Sequence, residues 1–437
     1  MSARETALNV LIACRKQAAW SNGVLKEYIV RDQLDRRDAA LATRLCYGVL
    51  QNRNKLDFYL KQLLTGKLKD LHPAVHDILH LGIYQILEMD KIPASAAVNE
   101  SVALAKKYCK KLRYAPGLVN AVLRNAVRSA ENLQQPKTLE ERYSHPKILI
   151  DLLRQNVGQD RLEAMLSANN DMPKTVVQVN RLKVTTEELM QILQEEDVSA
   201  QPHEWMEDCL ILSGTGNLEK LESFRKGLYY VQDVAARLSV QCAQIPAGAR
   251  VLDCCSAPGG KSFSAAIAMA GAGTITSCDV HAHKIALIQN GAKRLGLENI
   301  TAQQQDATLN RPEWNEQMDV VIADVPCSGY GIIRKKPDIR NKDPKTMEDL
   351  PQLQLQILSN QAQYVKPGGT LLYSTCTLLR RENEDVVAAF LRQRDDFYTE
   401  PLTLPSVFPA NTSGMLTLVP GEHDTDGFFI CRLRRKV

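Results

Sequence analysis

Two cysteines stand where an α/β enzyme would place a covalent nucleophile. Cys327 lies three residues past Asp324, just after the apolar run Asp319–Ala323, and Cys376 follows the run Thr370–Ser374. Short β-branched runs of this kind predict buried parallel strands, which present ligands and reacting groups at their carboxyl ends. A thiolate is a strong nucleophile, so two thiols beside a carboxylate suit covalent attack followed by a separate elimination step.

The remaining thiols call for a different interpretation. The eleven cysteines form no CxxC pair and no Cys/His ladder with zinc spacing, so no metal site is predicted. An odd, scattered count is typical of a reducing compartment, and we expect a cytoplasmic protein. A free cysteine is often a small buried side chain. We interpret five of them in that way: Cys14, Cys46, Cys242, Cys278 and Cys431.

A glycine turn and two carboxylates follow three other predicted strands. Gly259 and Gly260 come after the run Val251–Cys254 and permit a tight turn into a helix, whose free N–H groups face a ligand. The pattern is neither GxGxxG nor a P-loop, which disfavours a nucleoside triphosphate. Asp279 and Asp306 end the next two strands, where each is either a helix cap or an acceptor for a ribose or adenine group. Together the three strand ends predict an adenosine-bearing ligand.

These residues require a sheet to position them, and the chain divides into three predicted parts. Residues 1–143 carry apolar side chains at helical spacing and predict an all-α bundle. Residues 144–235 mix helical and strand-like segments, which predicts a small α+β module. Residues 236–437 alternate short strands with helices, which is typical of a Rossmann-like α/β domain with a mostly parallel sheet.

Charge is distributed unevenly between these parts. Residues 1–143 hold 23 Lys and Arg against 14 Asp and Glu, whereas the remainder carries −5. Between residues 106 and 111 lysines recur at steps of three and four with Tyr108 and Tyr114 nearby, which predicts a basic helical face that contacts RNA phosphates. A solvated lysine face is the alternative. A second basic run begins seven residues after Cys327. The candidate RNA-binding residues are Lys106, Lys107, Lys110, Lys111, Arg113, Arg334, Lys335 and Lys336.

No run of 18 or more apolar residues occurs, so no membrane span is predicted. The first 15 residues mix charges with apolar side chains, so we also expect no signal peptide.

The chain resembles the RNA 5-methylcytosine methyltransferases of the Nop/Sun type along essentially its whole length. The segments that carry the resemblance are DCCSAPGGK at 253–261, DVPCSGYGIIRKKPD at 324–338, STCT at 374–377, ENE at 382–384 and DGFF at 426–429. The helical N-terminal part resembles the NusB-like RNA-binding domain of bacterial members, which modify a cytosine of small-subunit (16S) ribosomal RNA.

This resemblance implies roles for individual residues. Cys376 would attack carbon 6 of cytosine, Cys327 would assist release, Asp324 would bond the N3/N4 edge of the base, and Lys261 would orient it. The cofactor would be S-adenosylmethionine, and the partner ribosomal RNA, bound by a monomer. The cofactor-binding residues would be Cys255, Ser256, Ala257, Pro258, Gly259, Gly260, Lys261, Asp279, Asp306 and Asp324.

Other functions remain open at this stage. A DNA cytosine methyltransferase would use Cys327 as its nucleophile and leave Cys376 without a role. An amino-group methyltransferase usually presents a D/N-P-P-aromatic loop, which DVPCS lacks. A 5-methylcytosine methyltransferase acting on another RNA, or a non-catalytic RNA-binding factor, is the further alternative.

Overall fold

The computed structural model describes residues 1–17 and 21–437. Its internal contacts define two units, each described by itself. The helical unit comprises Met1–Arg154, Leu166–Asp171 and Ile333–Lys342. The sheet unit comprises Gln155–Met165, Met172–Ile332 and Asp343–Val437. Among the described residues, no helix is long and apolar enough to cross a membrane.

The helical unit is built from amphipathic helices around one apolar core. Predicted core residues such as Leu8, Leu45 and Ile78 are fully buried, as helical spacing requires. Burying a leucine or isoleucine side chain contributes about 1.5–3 kcal/mol, so these positions hold the bundle together. Its helices are α1 (Ala3–Gln17), α2 (Ser21–Arg31), α3 (Arg36–Gln51), α4 (Arg53–Leu63), α5 (Pro73–Glu88), α6 (Ala94–Tyr108), α7 (Ala115–Ser129) and α8 (Leu139–Tyr143). Two further helices, α9 (Lys147–Val157) and α10 (Gln159–Ala168), contribute residues to both units.

A segment far along the chain also belongs to the helical unit. Residues Ile333–Lys342 pack here, and within them Pro337–Asn341 forms a short 3-10 helix. Asp338 Oδ2 accepts hydrogen bonds from the backbone N–H of Ser21 (3.1 Å) and from its hydroxyl (2.6 Å). Arg340 is buried in the same unit.

The first part of the sheet unit is a four-stranded antiparallel sheet in the order β2-β3-β1-β4. Thr185 and Glu188 form a capping box at the start of α11, which matches the predicted helix Thr186–Glu195. Strand β2 was not predicted, because it is an edge strand with a proline and little β-branched character. The elements are β1 (Thr175–Val179), α11 (Thr186–Glu195), β2 (Ser199–His203), β3 (Met206–Ser213), α12 (Glu222–Arg225) and β4 (Tyr229–Val231).

The second part is an eight-stranded mixed sheet in the order β10-β12-β9-β8-β5-β6-β7, with β11 paired to β12. Strands β5 to β9 pair in parallel, as predicted, whereas β12 is antiparallel to β9, β10 and β11. Its strands are β5 (Arg250–Asp253), β6 (Thr274–Asp279), β7 (Ile300–Gln304), β8 (Met318–Asp324), β9 (Val365–Thr375), β10 (Phe397–Thr399), β11 (Met415–Leu418) and β12 (Phe428–Arg435). Its helices are α13 (Val234–Cys242), α14 (Gly260–Ala268), α15 (Ala282–Leu295), α16 (Leu350–Gln361) and α17 (Glu384–Gln393).

The two sheets lie in one unit because polar contacts join them. The Asn180 side-chain amide donates to the backbone oxygens of Gly227 and Leu295, each at 2.9 Å. Arg294 donates from Nη1 to the Tyr229 carbonyl at 3.0 Å. The boundaries of three separate domains at 143 and 235 stay a prediction.

Candidate active site

The glycine turn after β5 has the conformation that the sequence requires. Gly259 has a φ of 111°, which favours glycine, and a Cβ there would lie 2.4 Å from the Phe263 ring. The Ser256 N–H donates to the Cys278 carbonyl at 2.8 Å, which fixes the turn against the end of β6. Helix α14 begins at Gly260, so its first N–H groups face the carboxyl edge of the sheet.

Asp279 and Asp306 end the next two parallel strands or follow them, and each carboxylate accepts a hydrogen bond from the backbone two residues on. Asp279 Oδ1 accepts from the His281 N–H at 3.0 Å, and Asp306 Oδ1 accepts from the Thr308 N–H at 2.9 Å. The Gln305 N–H donates to the Asp279 carbonyl at 3.1 Å, which joins the two strand ends. Neither aspartate is the N-cap of a helix, since α15 begins after His281 and no α-helix follows Asp306 directly. Each carboxylate orders its own loop at the carboxyl edge of the sheet, and its role as an acceptor for adenosine stays a prediction.

A buried polar chain lies beneath the glycine turn. Asp253 Oδ2 accepts from the Ser262 hydroxyl at 2.7 Å, and the Ser277 hydroxyl donates to Ser262 Oγ at 2.7 Å. Asp253 is fully buried, and burial raises the pKa of its carboxyl to about 7. The end of β5 is therefore tied to α14 and β6 through a group that titrates near neutrality.

Asp253→Asn is expected to remove a pH dependence of stability between about pH 4 and 7. The pKa of Asp253 rises from 3.8 to about 7 on folding, so the native state holds a proton that the unfolded state releases. The wild type therefore loses stability, on the order of a few kcal/mol, as pH rises through this window, and the loss levels off above it. Urea unfolding of both proteins at several pH values measures the difference.

The exposed Asp395 supplies the control for this experiment. Asp395→Asn should follow the wild-type pH profile, because its carboxylate is solvated in both states. A constant difference between wild type and Asp253→Asn at every pH would contradict the prediction.

The two predicted reactive cysteines lie together. Strands β8 and β9 are parallel neighbours with Asp324 opposite Ser374, so the loops after them meet at one edge. The Sγ atoms of Cys327 and Cys376 are 3.2 Å apart, and both side chains are half-buried. The hydrogen bond to Cys376, together with burial, raises the pKa of Cys327 well above its ordinary value. These surroundings therefore favour the protonated form of Cys327.

Asp324 and Lys261 form an ion pair beside these thiols. Lys261 Nζ lies 2.7 Å from Asp324 Oδ2, and the Ser374 hydroxyl donates to Asp324 Oδ1 at 2.8 Å. Lys261 Nζ also lies 5.1 Å from the centre of the Phe428 ring, within cation–π range. The lysine side chain is 11% exposed and the aspartate side chain 29%, so the carboxylate remains accessible to a substrate while its orientation is fixed.

Sequence reasoning gave no role to the residues that hold the cysteine loops. Glu382 is fully buried, and its Oε2 accepts from the Ser328 N–H at 2.9 Å and from the Gln354 amide at 3.0 Å. Asn383 accepts from the Thr375 hydroxyl at 2.6 Å. Glu382 and Asn383 belong to the ENE motif, which therefore acts by bracing the loops that carry Cys327 and Cys376.

The DGFF motif also supports these loops, through backbone contact. The Gly331 N–H donates to the Cys376 carbonyl at 2.9 Å, and the Gly427 N–H donates to the Gly331 carbonyl at 2.8 Å. A Cβ on Gly331 would lie 2.0 Å from the Gly427 oxygen, so only glycine fits between the two segments. Phe428 follows directly and supplies the ring near Lys261.

The two groups of predicted RNA-binding residues differ in local structure and in exposure. Helix α6 ends at Tyr108, so Lys110, Lys111 and Arg113 lie in the following turn, and the expectation of one continuous helical face was wrong. The helix stops there because the Leu112 N–H bonds the Cys109 carbonyl in a turn. All five basic residues between 106 and 113 are exposed.

The second basic run is less accessible than the first. Arg334 is 6% exposed, and Lys335 and Lys336 are half-buried. All three belong to the helical unit. Of the two predicted groups, the residues between 106 and 113 are thus the more accessible to a polyanion.

Comparison with known proteins shows which families the three parts of the chain match. Family models match three successive parts: NusB family at residues 1–128, an RsmF/B-like ferredoxin-like domain at 145–219, and 16S rRNA methyltransferase RsmB/F at 242–434. A Bacillus subtilis (strain 168) relative, named probable ribosomal RNA small subunit methyltransferase B, is 36% identical over 446 residues, covering 100% of this chain and 99% of the relative. The chain belongs to this family.

Further similarities agree with membership in the small subunit methyltransferase B family. Ribosomal RNA small subunit methyltransferase B of Enterobacter sp. (strain 638) is 31% identical over 408 residues, or 92% of each chain. The crystal structure of PH0851 superimposes with a TM-score of 0.82 at 25% identity, covering 100% of this chain and 99% of that one. The predicted family and fold class are confirmed, and the protein is a ribosomal RNA methyltransferase.

Proposed function

We propose that the protein methylates carbon 5 of a cytosine in small-subunit ribosomal RNA, with S-adenosylmethionine as methyl donor and Cys376 as covalent nucleophile. The observation that carries the proposal is the pair of thiols, 3.2 Å apart, beside the Asp324–Lys261 ion pair. Methylation of an exocyclic amino group or a ribose oxygen needs no thiol, whereas carbon 5 of a pyrimidine is unreactive until carbon 6 carries a nucleophile.

The donor set at the carboxyl edge fits S-adenosylmethionine. The left-handed Gly259 sets the tight turn that leads into the N-terminus of α14, and Asp279 and Asp306 offer acceptors for ribose hydroxyls and an adenine amino group. We assign the cofactor to the segment Cys255–Lys261 and to Asp279, Asp306 and Asp324. When bound, it supplies an electrophilic methyl group on a sulfonium.

The first step assigned to the protein is attack by Cys376. Its thiolate forms a bond to carbon 6 of the cytosine, and the electron pair of the 5,6 double bond moves toward carbon 5. Asp324, oriented by Lys261 and Ser374, holds the N3/N4 edge of the base by accepting from its amino group, and the Lys261 ammonium offsets the negative charge that develops on the ring. Cys327 keeps its proton during this step, because burial and the contact with Cys376 raise its pKa.

The second step is elimination. After carbon 5 carries the new methyl group, Cys327 relays the carbon 5 proton to solvent: its sulfur accepts that proton as its own S–H proton leaves to water. The bond between Cys376 and carbon 6 then breaks, its electron pair returns to the sulfur, and the 5,6 double bond reforms. The target base must leave its stack to reach two half-buried thiols, which suits a loop or single-stranded nucleotide.

The function is tested by methyl transfer from labelled S-adenosylmethionine to unmodified small-subunit ribosomal RNA. The expected product is one labelled cytosine with the methyl on carbon 5. Gly259→Val provides the negative control, because its side chain would collide with Phe263 and close the turn. A label on nitrogen or ribose would overturn the reaction assignment, and a label found only on another RNA would overturn the substrate assignment.

A further inference from the structure

A carboxylate and two histidines converge in the helical unit, away from every residue assigned to the reaction. Asp57 lies on α4, and His76 and His80 lie on α5. Both Nε2 atoms point at the same carboxylate oxygen: Asp57 Oδ1 is 2.6 Å from His76 and 2.8 Å from His80. The three donor atoms all lie within 4.8 Å of one another.

The helices fix this convergence. His76 and His80 are four residues apart, so their rings project from the same face of α5, with ring centres 4.1 Å apart. Asp57 reaches them from α4, whose side packs on α5 through Leu56 and Leu60, both fully buried. The three groups are thus mounted on rigid elements, which is how a protein preorganises a metal site.

A carboxylate and two imidazoles are ligands for divalent first-row metals, zinc in particular.

We propose that Asp57, His76 and His80 bind one zinc ion, which joins α4 to α5. Ligands about 2.0–2.1 Å from a tetrahedral ion are roughly 3.3 Å apart, so shifts on the order of 1 Å in the side chains suffice. The His76 side chain is 28% exposed and that of Asp57 26%, whereas His80 is 3% exposed. The ion therefore enters from the side of His76 and Asp57, where water completes its coordination.

The site departs from the expectation of no metal for a specific reason. That expectation was based on the absence of CxxC pairs and of Cys/His ladders. This cluster instead combines an i, i+4 histidine pair with a carboxylate from a neighbouring helix. The competing interpretation is a hydrogen-bonded brace without a metal, in which both imidazoles donate to one carboxylate oxygen. The two interpretations predict opposite results when zinc is offered.

Zinc binding to the full-length protein, first stripped with a chelator, tests the proposal. Titration against a competing chromophoric chelator should show one tightly bound zinc, and zinc should raise the thermal midpoint of the wild type. His76→Ala should weaken binding at least about 100-fold, as loss of a ligand exceeds loss of a supporting group. Asp57→Asn, which keeps the shape of the side chain, should do the same if His76→Ala folds poorly.

Two matched variants separate this site from other zinc-binding groups. His283→Ala removes an exposed histidine whose ring centre is 5.5 Å from that of His281, and should leave tight binding unchanged. Cys376→Ser removes one of the paired thiols and should also leave it unchanged. Tight binding that survives His76→Ala and is lost in Cys376→Ser would overturn the proposal, as would an absence of tight zinc in the wild type.

Cobalt provides an independent spectroscopic readout. Cobalt in a tetrahedral site absorbs in the visible, and ligation by imidazole and carboxylate lacks the strong near-ultraviolet band of a thiolate complex. Visible bands without the thiolate band, lost in Asp57→Asn, are expected. A thiolate band would assign the ion to cysteines and overturn the proposal.

Discussion

Cys327→Ala should leave the enzyme covalently joined to its RNA, whereas Cys376→Ala should form no adduct at all. With Cys376 intact, attack on carbon 6 and methyl transfer proceed, but the group assigned to accept the carbon 5 proton is missing, so elimination stalls. With Cys376 replaced, the first bond cannot form, and methyl transfer should fall by a factor of about 10⁴ or more. Denaturing gels with labelled RNA, read beside methyl-transfer rates, distinguish the two variants.

The two thiols are 3.2 Å apart, so single variants of each test their roles at the same place in the site. The double variant should resemble Cys376→Ala and give no adduct. Cys14→Ala, which alters a half-buried thiol in the helical unit, is the control and should keep wild-type turnover. An adduct that accumulates in Cys376→Ala and is absent from Cys327→Ala would reverse the assignment and make Cys327 the nucleophile.

Arg340→Met should destabilise the helical unit by about 3–5 kcal/mol. Arg340 is 2% exposed, and its guanidinium donates to the backbone oxygens of Gln51 (2.8 Å), Ser144 (3.1 Å) and Asn169 (3.3 Å) and to Asn170 Oδ1 (3.0 Å). Burial lowers its pKa to about 9, so it stays protonated at neutral pH. Methionine fills a similar volume but leaves these acceptors without a donor, and each unsatisfied buried acceptor costs about 1–3 kcal/mol.

Urea unfolding at neutral pH, followed by hydrogen exchange of α3 and α8, measures this loss. Arg340→Lys should recover part of the stability, because an ammonium restores the charge but cannot reach four oxygens in one plane. Arg113→Met removes an exposed arginine from the same unit and serves as the control. Equal unfolding midpoints for Arg340→Met and Arg113→Met would show that the buried guanidinium contributes nothing to stability.

The loss expected for Arg340→Met is a large fraction of the 5–15 kcal/mol that typically stabilises a native protein. Arg340 contributes to the stability of the helical unit although it lies far along the chain, 13 residues after Cys327. It belongs to the segment Ile333–Lys342, which packs in that unit. Nothing in the local sequence indicates this packing, because the residues around Arg340 read as a basic, proline-containing loop.

Much of the sheet unit follows from the sequence. Strands β5 to β8 agree with the predicted runs to within one residue, because buried parallel strands are short, β-branched and separated by strong helical periodicity. Their order along the chain places Cys327 and Cys376 after neighbouring strands, so the meeting of the two thiols was predictable. Strand β12 escaped prediction, since its eight residues change from four apolar side chains to an arginine-rich end and no helix follows them.

Tertiary structure decided how the reacting groups are held. The sequence singled out Cys376, Cys327, Asp324 and Lys261 as candidates from their types and from family resemblance, since thiols and charges at strand ends have few structural uses. It could not show that Ser374 orients Asp324, or that Glu382 braces the loop of Cys327. Those hydrogen bonds join residues some 50 positions apart and exist only once β8 and β9 are paired.

The same distinction holds for the helical unit. Apolar periodicity determined its helices, because each helix buries one face whatever its partners are. The convergence of Asp57 with His76 and His80 depends on the rotation and height of α4 against α5, which packing sets and local sequence does not encode. Periodicity thus determined which elements form, and residue types with family resemblance named the candidate reacting groups, while packing determined which side chains meet.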